Sequence, residues 1–296
     1  MLADRRRRHA QPPGRSSKGT FCHHGSEYRH SIQFIHNYEV LLNQESMNMA
    51  LISSIVKYYS VYSRSGQPGL RQNTEPIPDR SKQMKVAIIG ATGFVGRRVV
   101  DEALARGLQV TAIARQPKDL PDHANLTVAL GDVADTEWLA KQLTGQDAVI
   151  STFNPGWAEE NLYEKTTRGS QQILDAVKKS GVKRLLVVGG AGSLEVAPGV
   201  ELVDTPQFPE NIRPGAQAVR DLRNKLRNES QLDWTYLSPA ALLEPGKRTG
   251  QFRLGTTQLL MNGQAPASIS VEDLSVAILD EIEKPQFIKA QFTAAY

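Results

Sequence analysis

With Cys22 as its only cysteine, the 296-residue chain has no internal disulfide framework, and a reducing, cytoplasmic setting is expected. No apolar run approaches the roughly 18 residues of a membrane span, so no membrane partner is expected. Histidine is scarce too: beyond residue 83 there is only His123, placed in a connection between strands. Cys22, His23 and His24 lack the second pair that a zinc spacing needs, so no metal is expected. The formal charge of +4 comes from one end: residues 1–83 hold 12 Lys+Arg against 6 Asp+Glu, a net of +6. The remainder holds 23 against 25, so the main body has no basic surplus to attract nucleic acid.

Residues 1–83 differ in composition from the rest of the chain, with five of the six histidines and five of the eight tyrosines. Three readings compete. The stretch is a disordered or non-native leader before a functional start at Met84, or an Arg-rich targeting peptide sending the protein to an organelle. In the third, the run Arg5 to Arg8 binds nucleic acid or anionic lipid. The segment 47–61 is too short and polar to cross a membrane.

What is present begins at residues 84–100, MKVAIIGATGFVGRRVV. Val86 to Ile89 read as a buried parallel strand, and Val95, Val99, Val100 and Leu104 start a helical apolar face. Between them lies Gly90-Ala91-Thr92-Gly93-Phe94-Val95-Gly96, a G-x-x-G-x-x-G turn. In a strand–turn–helix unit Gly90 permits the tight turn and Gly93 lets backbone approach a pyrophosphate. Gly96 lets helix and strand pack closely, and the helix start offers unpaired N–H groups to the phosphates. Arg97-Arg98 after the last glycine excludes a P-loop, which needs Lys and Ser or Thr there.

Beyond this turn strand-like and helix-like segments alternate. Strands are expected at 109–114, 125–130, 148–151, 184–188 and 233–237. Helices are expected at 135–143, 159–180, 214–228 and 271–283. Two short strand-like pieces and a last strand near Gln291 complete the tail. The alternation predicts an α/β fold, a doubly wound parallel sheet of Rossmann type over residues 84–296, with a small C-terminal subregion on the substrate side. Ligands then sit at the carboxyl ends of the strands. At the end of the second strand Arg115 stands where NAD-preferring folds place an acid, and Arg97 can add a second contact. A guanidinium forks onto a 2′-phosphate, so NADP(H) is the expected cofactor, with NAD(H) as the alternative.

With these segments placed, residues 84–296 resemble the atypical short-chain dehydrogenase/reductases, in particular the NAD(P)H-binding, flavin-reductase-like and NmrA-like branch. The resemblance rests on KVAIIGATGFVGRRVV, the pair Gly131-Asp132, VKRLLVVGGAGSLEV and LDWTYLSPAALLEPG. It implies that Gly90, Thr92, Gly93, Phe94, Val95 and Gly96 cradle the cofactor. Asp132 and Val133 would flank the adenine, although Asp132 also suits a helix N-cap. Thr152, Phe153 and Asn154 would lie along the cofactor, with Gly189, Gly190, Ser238, Pro239 and Ala240 near the nicotinamide. The chain departs from the alcohol- and carbonyl-reducing members by lacking Tyr-x-x-x-Lys: Lys165 follows Tyr163 by two positions, and Ala240 follows Tyr236 by four.

Two functions fit these residues. One is an NADPH-dependent reductase of a flavin- or quinone-like acceptor, with Ser193 as the candidate polar group over that acceptor. The other is an NADP(H)-sensing regulatory protein without turnover; a weaker third is an isomerase or epimerase. Segments 195–213 and 247–263 are expected to shape the acceptor pocket, and neither names the acceptor nor an oligomeric state.

Overall fold

The computed structural model describes residues 83–116 and 120–296; the readings of the leader fall outside the described residues. In chain order the strands before the first long connection are β1 (Lys85–Ile89), β2 (Gln109–Ala114), β3 (Leu126–Leu130), β4 (Ala148–Ser151) and β5 (Arg184–Val188). Helices α1 (Phe94–Ala105), α2 (Thr136–Leu143) and α3 (Leu162–Ser180) lie between them. A short pair, β6 (Glu195–Ala197) and β7 (Val200–Glu201), precedes α4 (Arg213–Leu226) and β8 (Asp233–Pro239). The tail holds β9 (Leu242–Glu244), β10 (Arg253–Gly255), β11 (Met261–Asn262), β12 (Ala265–Pro266), β13 (Ser268–Ser270), α5 (Val271–Glu283) and β14 (Ala290–Ala295).

The main sheet runs β10-β14-β8-β5-β4-β1-β2-β3. Every pairing from β14 to β3 is parallel, and β10 alone joins antiparallel, an edge that the expectation of a wholly parallel sheet missed. The strand order reverses between β1 and β4, the switch point where ligands of such sheets bind.

Period-two alternation along β1 divides the core. Val86 and Ile88 face α1 and α5 with Val99, Ala103, Leu274 and Ile278. Ala87 and Ile89 face α2, α3 and α4 with Leu139, Leu143, Val177 and Leu226. Both strand faces are therefore dry, which is why VAII reads as a continuous apolar run.

Helix bounds agree with the periodicity to within a few residues. The exception is α3, expected from residue 159 and observed from Leu162. Its start is set by Asn161, whose left-handed backbone (φ 55) cannot continue a helix. Its end is Gly181 at φ 81, the αL cap that glycine accepts without penalty. The tail holds more short strands than expected; two- and three-residue strands such as β11 and β12 leave no periodicity to read.

One carboxylate ties the tail together. Asp273, fully buried in the first turn of α5, accepts from the backbone N–H groups of Thr249 and Gly250 (2.7 and 2.8 Å) and from Tyr296 Oη (2.8 Å). Burial works to raise its pKa, but the bonds from Thr249, Gly250 and Tyr296 outweigh it and hold the carboxyl below the ordinary value. A lowered folded pKa stabilises above the unfolded value, and that stabilisation is lost as pH falls through the folded pKa. Asp273→Asn should therefore cost about 2–3 kcal/mol at neutral pH, with the gap to wild type shrinking below about pH 4 in urea melts. A gap that stays constant with pH would contradict this account.

Candidate active site at the sheet switch point

The site is built where β1 and β4 end side by side. Gly90 has φ +80, and a Cβ there would lie 2.9 Å from Thr152 O. A Cβ on Gly96 would stand 2.1 Å from Gly90 O, so only glycine lets α1 approach the turn this closely. Thr152 closes the contact from the other side: its Oγ1 lies 2.8 Å from Ile89 O and 3.2 Å from Gly90 O. Thr152, expected along a cofactor, thus also braces the turn that would hold one.

Gly93 plays a different part. Its backbone is ordinary (φ −75), it is exposed, and the nearest atom to an added Cβ is Gly90 O at 3.2 Å. It occupies the N-cap of α1 without a capping side chain, and the first turn carries no acid. The earliest helical bond is Arg97 N–H to Gly93 O (3.0 Å). The N–H groups of the first turn and the positive end of the helix dipole therefore face the turn, a seat suited to a phosphate. Thr92 and Val95 are half-buried beside Gly93, and Phe94 is exposed with the Arg98 guanidinium 5.6 Å from its ring. Arg97 sits in the same turn, 3.9 Å from Asp101.

On the β2–β3 side, Arg115 is exposed just past β2. Gly131 packs under Trp138, where a Cβ would meet the ring at 2.5 Å. Asp132 accepts from Ala134 N–H (2.8 Å) in a local turn, while the N-cap of α2 is Asp135, whose Oδ1 accepts from Trp138 N–H (2.9 Å). The N-cap alternative for Asp132 is thereby corrected. Val133 packs against the core on that face. Beyond Thr152, Phe153 lies against Gly169 of α3, where a Cβ would be 2.3 Å from the ring, and Asn154 Oδ1 accepts from Gly156 N–H (2.8 Å).

On the β5–β8 side the sequence reading missed a buried polar network. Ser193 is 1% exposed; its Oγ is 2.9 Å from Gly190 O and 2.9 Å from Ser238 Oγ. Gln291 Nε2 donates to Ser238 Oγ (3.0 Å), and Arg223 Nη1 donates to Ser193 O (2.8 Å) while pairing with Glu201 (2.5 Å). Ser193, expected to stand over an acceptor, is built into the wall with its hydroxyl already bonded. Gly189 closes over Tyr236, where a Cβ would lie 2.1 Å from the phenol oxygen. Burial pushes the Tyr236 hydroxyl up to about 12. Gly190 is half-buried, and Pro239 and Ala240 are buried at the end of β8. A signal for the network exists: Arg223 lies seven residues after buried Ala216, on the apolar phase of α4.

Comparison with known proteins agrees with this geometry. The NAD(P)H-binding family pattern matches residues 90–285. The uncharacterized protein YwnB of Bacillus subtilis is 37% identical over 213 residues, spanning 71% of this chain and 97% of YwnB. A Bacteroides thetaiotaomicron structure, provisionally named an epimerase, is 42% identical with a TM-score of 0.68, over 73% of this chain and 98% of its own. A Streptococcus pneumoniae structure, provisionally named an NADH-flavin reductase, is 34% identical with a TM-score of 0.62, over 72% of this chain and 99% of its own. Together they bear out the resemblance to the atypical short-chain dehydrogenase/reductases. No helix among the described residues is long and apolar enough to cross a membrane.

Gly96→Ala should force Gly90 aside, lowering stability by about 3 kcal/mol in urea melts and abolishing nucleotide binding by fluorescence titration. Gly93→Ala should keep the wild-type melt yet weaken that binding roughly tenfold. Equal loss of stability in the two variants would contradict the division of labour.

Proposed function

Because the chain belongs to the NAD(P)H-binding family, we propose that it is an NAD(P)H-dependent oxidoreductase, NADPH-preferring, that reduces a flavin- or quinone-like acceptor. The observation that carries the reading is the turn itself. Gly90 and Gly96 leave no room for side chains, and the uncapped, acid-free start of α1 faces the space beside Gly93. This cradle fits a pyrophosphate. Hydride donation is the chemistry a nicotinamide supplies when bound there.

Gly93, Phe94, Val95 and Gly96 hold the phosphates, with Thr92 beside them. Arg115, and Arg97 from the first turn, read the 2′-phosphate. Asp132 and Val133 border the adenine, and Thr152, Phe153 and Asn154 line the middle of the cleft. Gly189, Gly190, Ser238, Pro239 and Ala240 wall the nicotinamide end. Ser193, through Ser238 and the Gly190 carbonyl, fixes that wall in place.

The tyrosines support this acceptor class. Short-chain dehydrogenases that reduce carbonyls use a phenol made acidic by a nearby lysine as the proton donor. Tyr163 donates to Asp221 Oδ2 (2.7 Å), and that carboxylate raises its pKa. Tyr236 is sealed under Gly189, and Tyr296 is bonded to Ser270 and Asp273. Among the described residues no tyrosine is placed as a proton donor. An extended conjugated ring needs none, because it spreads the charge it receives and takes its proton from water. The name of the Streptococcus pneumoniae neighbour supports the same class. The missing donor also suits a non-catalytic NADP(H) sensor of the NmrA type.

The test is to follow NADPH and NADH oxidation with FMN, FAD or a quinone. Acceptor-dependent turnover, faster with NADPH, is expected, and Arg115→Ala should cut the NADPH preference roughly tenfold. Tight NADPH binding with no turnover would favour the sensor. Binding of neither nucleotide would sink both.

A further inference from the structure

Between Thr152 and α3 the chain passes through Pro155-Gly156-Trp157-Ala158-Glu159. Trp157 is 56% exposed, the most of any large apolar side chain among the described residues, whereas Trp234 is 3% exposed. A single exposed apolar residue is ordinary in itself. Here the backbone is shaped to hold it out. Gly156 has φ +124 and Asn161 φ +55, one of two non-glycine residues with positive φ among those described. Asn154 Oδ1 holds Gly156 N–H (2.8 Å), Gly156 O holds Glu159 N–H (3.3 Å), and Glu159 pairs with Lys165 (2.6 Å).

The ring has a fixed support. Gly215 in the first turn of α4 lies beneath it, where a Cβ would come within 3.3 Å of Trp157 Cζ3. The segment leaves the sheet at the carboxyl end of β4, where the glycine turn lies. Its start follows Thr152, whose hydroxyl is bonded to the carbonyls of Ile89 and Gly90 at the glycine turn. The contact with Gly215 sets the ring beside the first turn of α4, on the sheet face that α4 covers.

We propose that Trp157 is the platform on which the planar ring of the acceptor stacks, a role that rests on the reductase reading above. Its indole offers a broad flat face, and a conjugated flavin or quinone offers another, so the contact selects planar acceptors without hydrogen-bond readout. Gly156 and Asn161 set the angle of the platform, and Gly215 sets its depth.

The experiment titrates the full chain, loaded with NADP+ so that no turnover occurs, into FMN and follows quenching of flavin fluorescence. A naphthoquinone serves as a second probe, read by competition. Trp157→Ala should weaken FMN binding roughly tenfold and Trp157→Phe should recover most of it, with NADP+ affinity unchanged in both. FMN affinity unchanged in Trp157→Ala would overturn the platform and leave the reductase reading intact if turnover persists. Loss of NADP+ and FMN binding together in Trp157→Ala would also overturn it, as a structural role. So would a changed sedimentation coefficient with unchanged FMN affinity, which would give the ring to a second copy of the chain. Wild-type protein that binds NADP+ but neither probe would sink the platform alone; wild-type protein that binds no NADP+ would sink the reading beneath it.

Discussion

Everything at the switch point depends on one crowded contact, where the carbonyl of Gly90 meets the backbone of Gly96 and the hydroxyl of Thr152. A Cβ at Gly96 would be 2.1 Å from that oxygen, well inside contact distance. Because α1 starts this close to β1, its free N–H groups converge on one place. Because Thr152 belongs to the end of β4, the neighbouring strand locks the same place from the opposite side. Helix dipole, turn and sheet topology are thus three consequences of one packing constraint.

The β5–β8 side is held by different physics. Polar groups are buried there, and the chain satisfies them in series: Gln291 to Ser238, Ser238 to Ser193, Ser193 to Gly190 O, with Arg223 on Ser193 O. A bonded series of this kind is stiff, because freeing any member leaves a buried donor or acceptor unpaired. One half of the cleft is therefore shaped by close backbone approach, the other by a hydrogen-bonded frame.

Much of this was legible in the sequence, and unevenly. The glycine turn and β1 could be read because dry faces on both sides demand VAII and the close approach demands Gly90 and Gly96. The turn at Asp132 was half-legible: an Asp there suits a cap, and only the structure shows that Asp135 takes that job. Ser193 was misjudged because sequence gives a serine after β5 but not the direction of its hydroxyl. Its partners, Arg223 and Gln291, lie 30 and 98 residues away, beyond any local pattern. The antiparallel edge β10 escaped for the same reason, since three residues carry no period and its pairing is with β14.

That edge bears on how the sheet assembles. From β1 to β5 each new strand docks beside one already made. β10 is different: within the main sheet its one neighbour is β14, which comes later in the chain. It must wait, unpaired, until α5 has packed and β14 has docked on β8. The edge strand β10 is therefore the last of the main sheet to pair, and its amides should exchange with solvent well before those of β1 and β4.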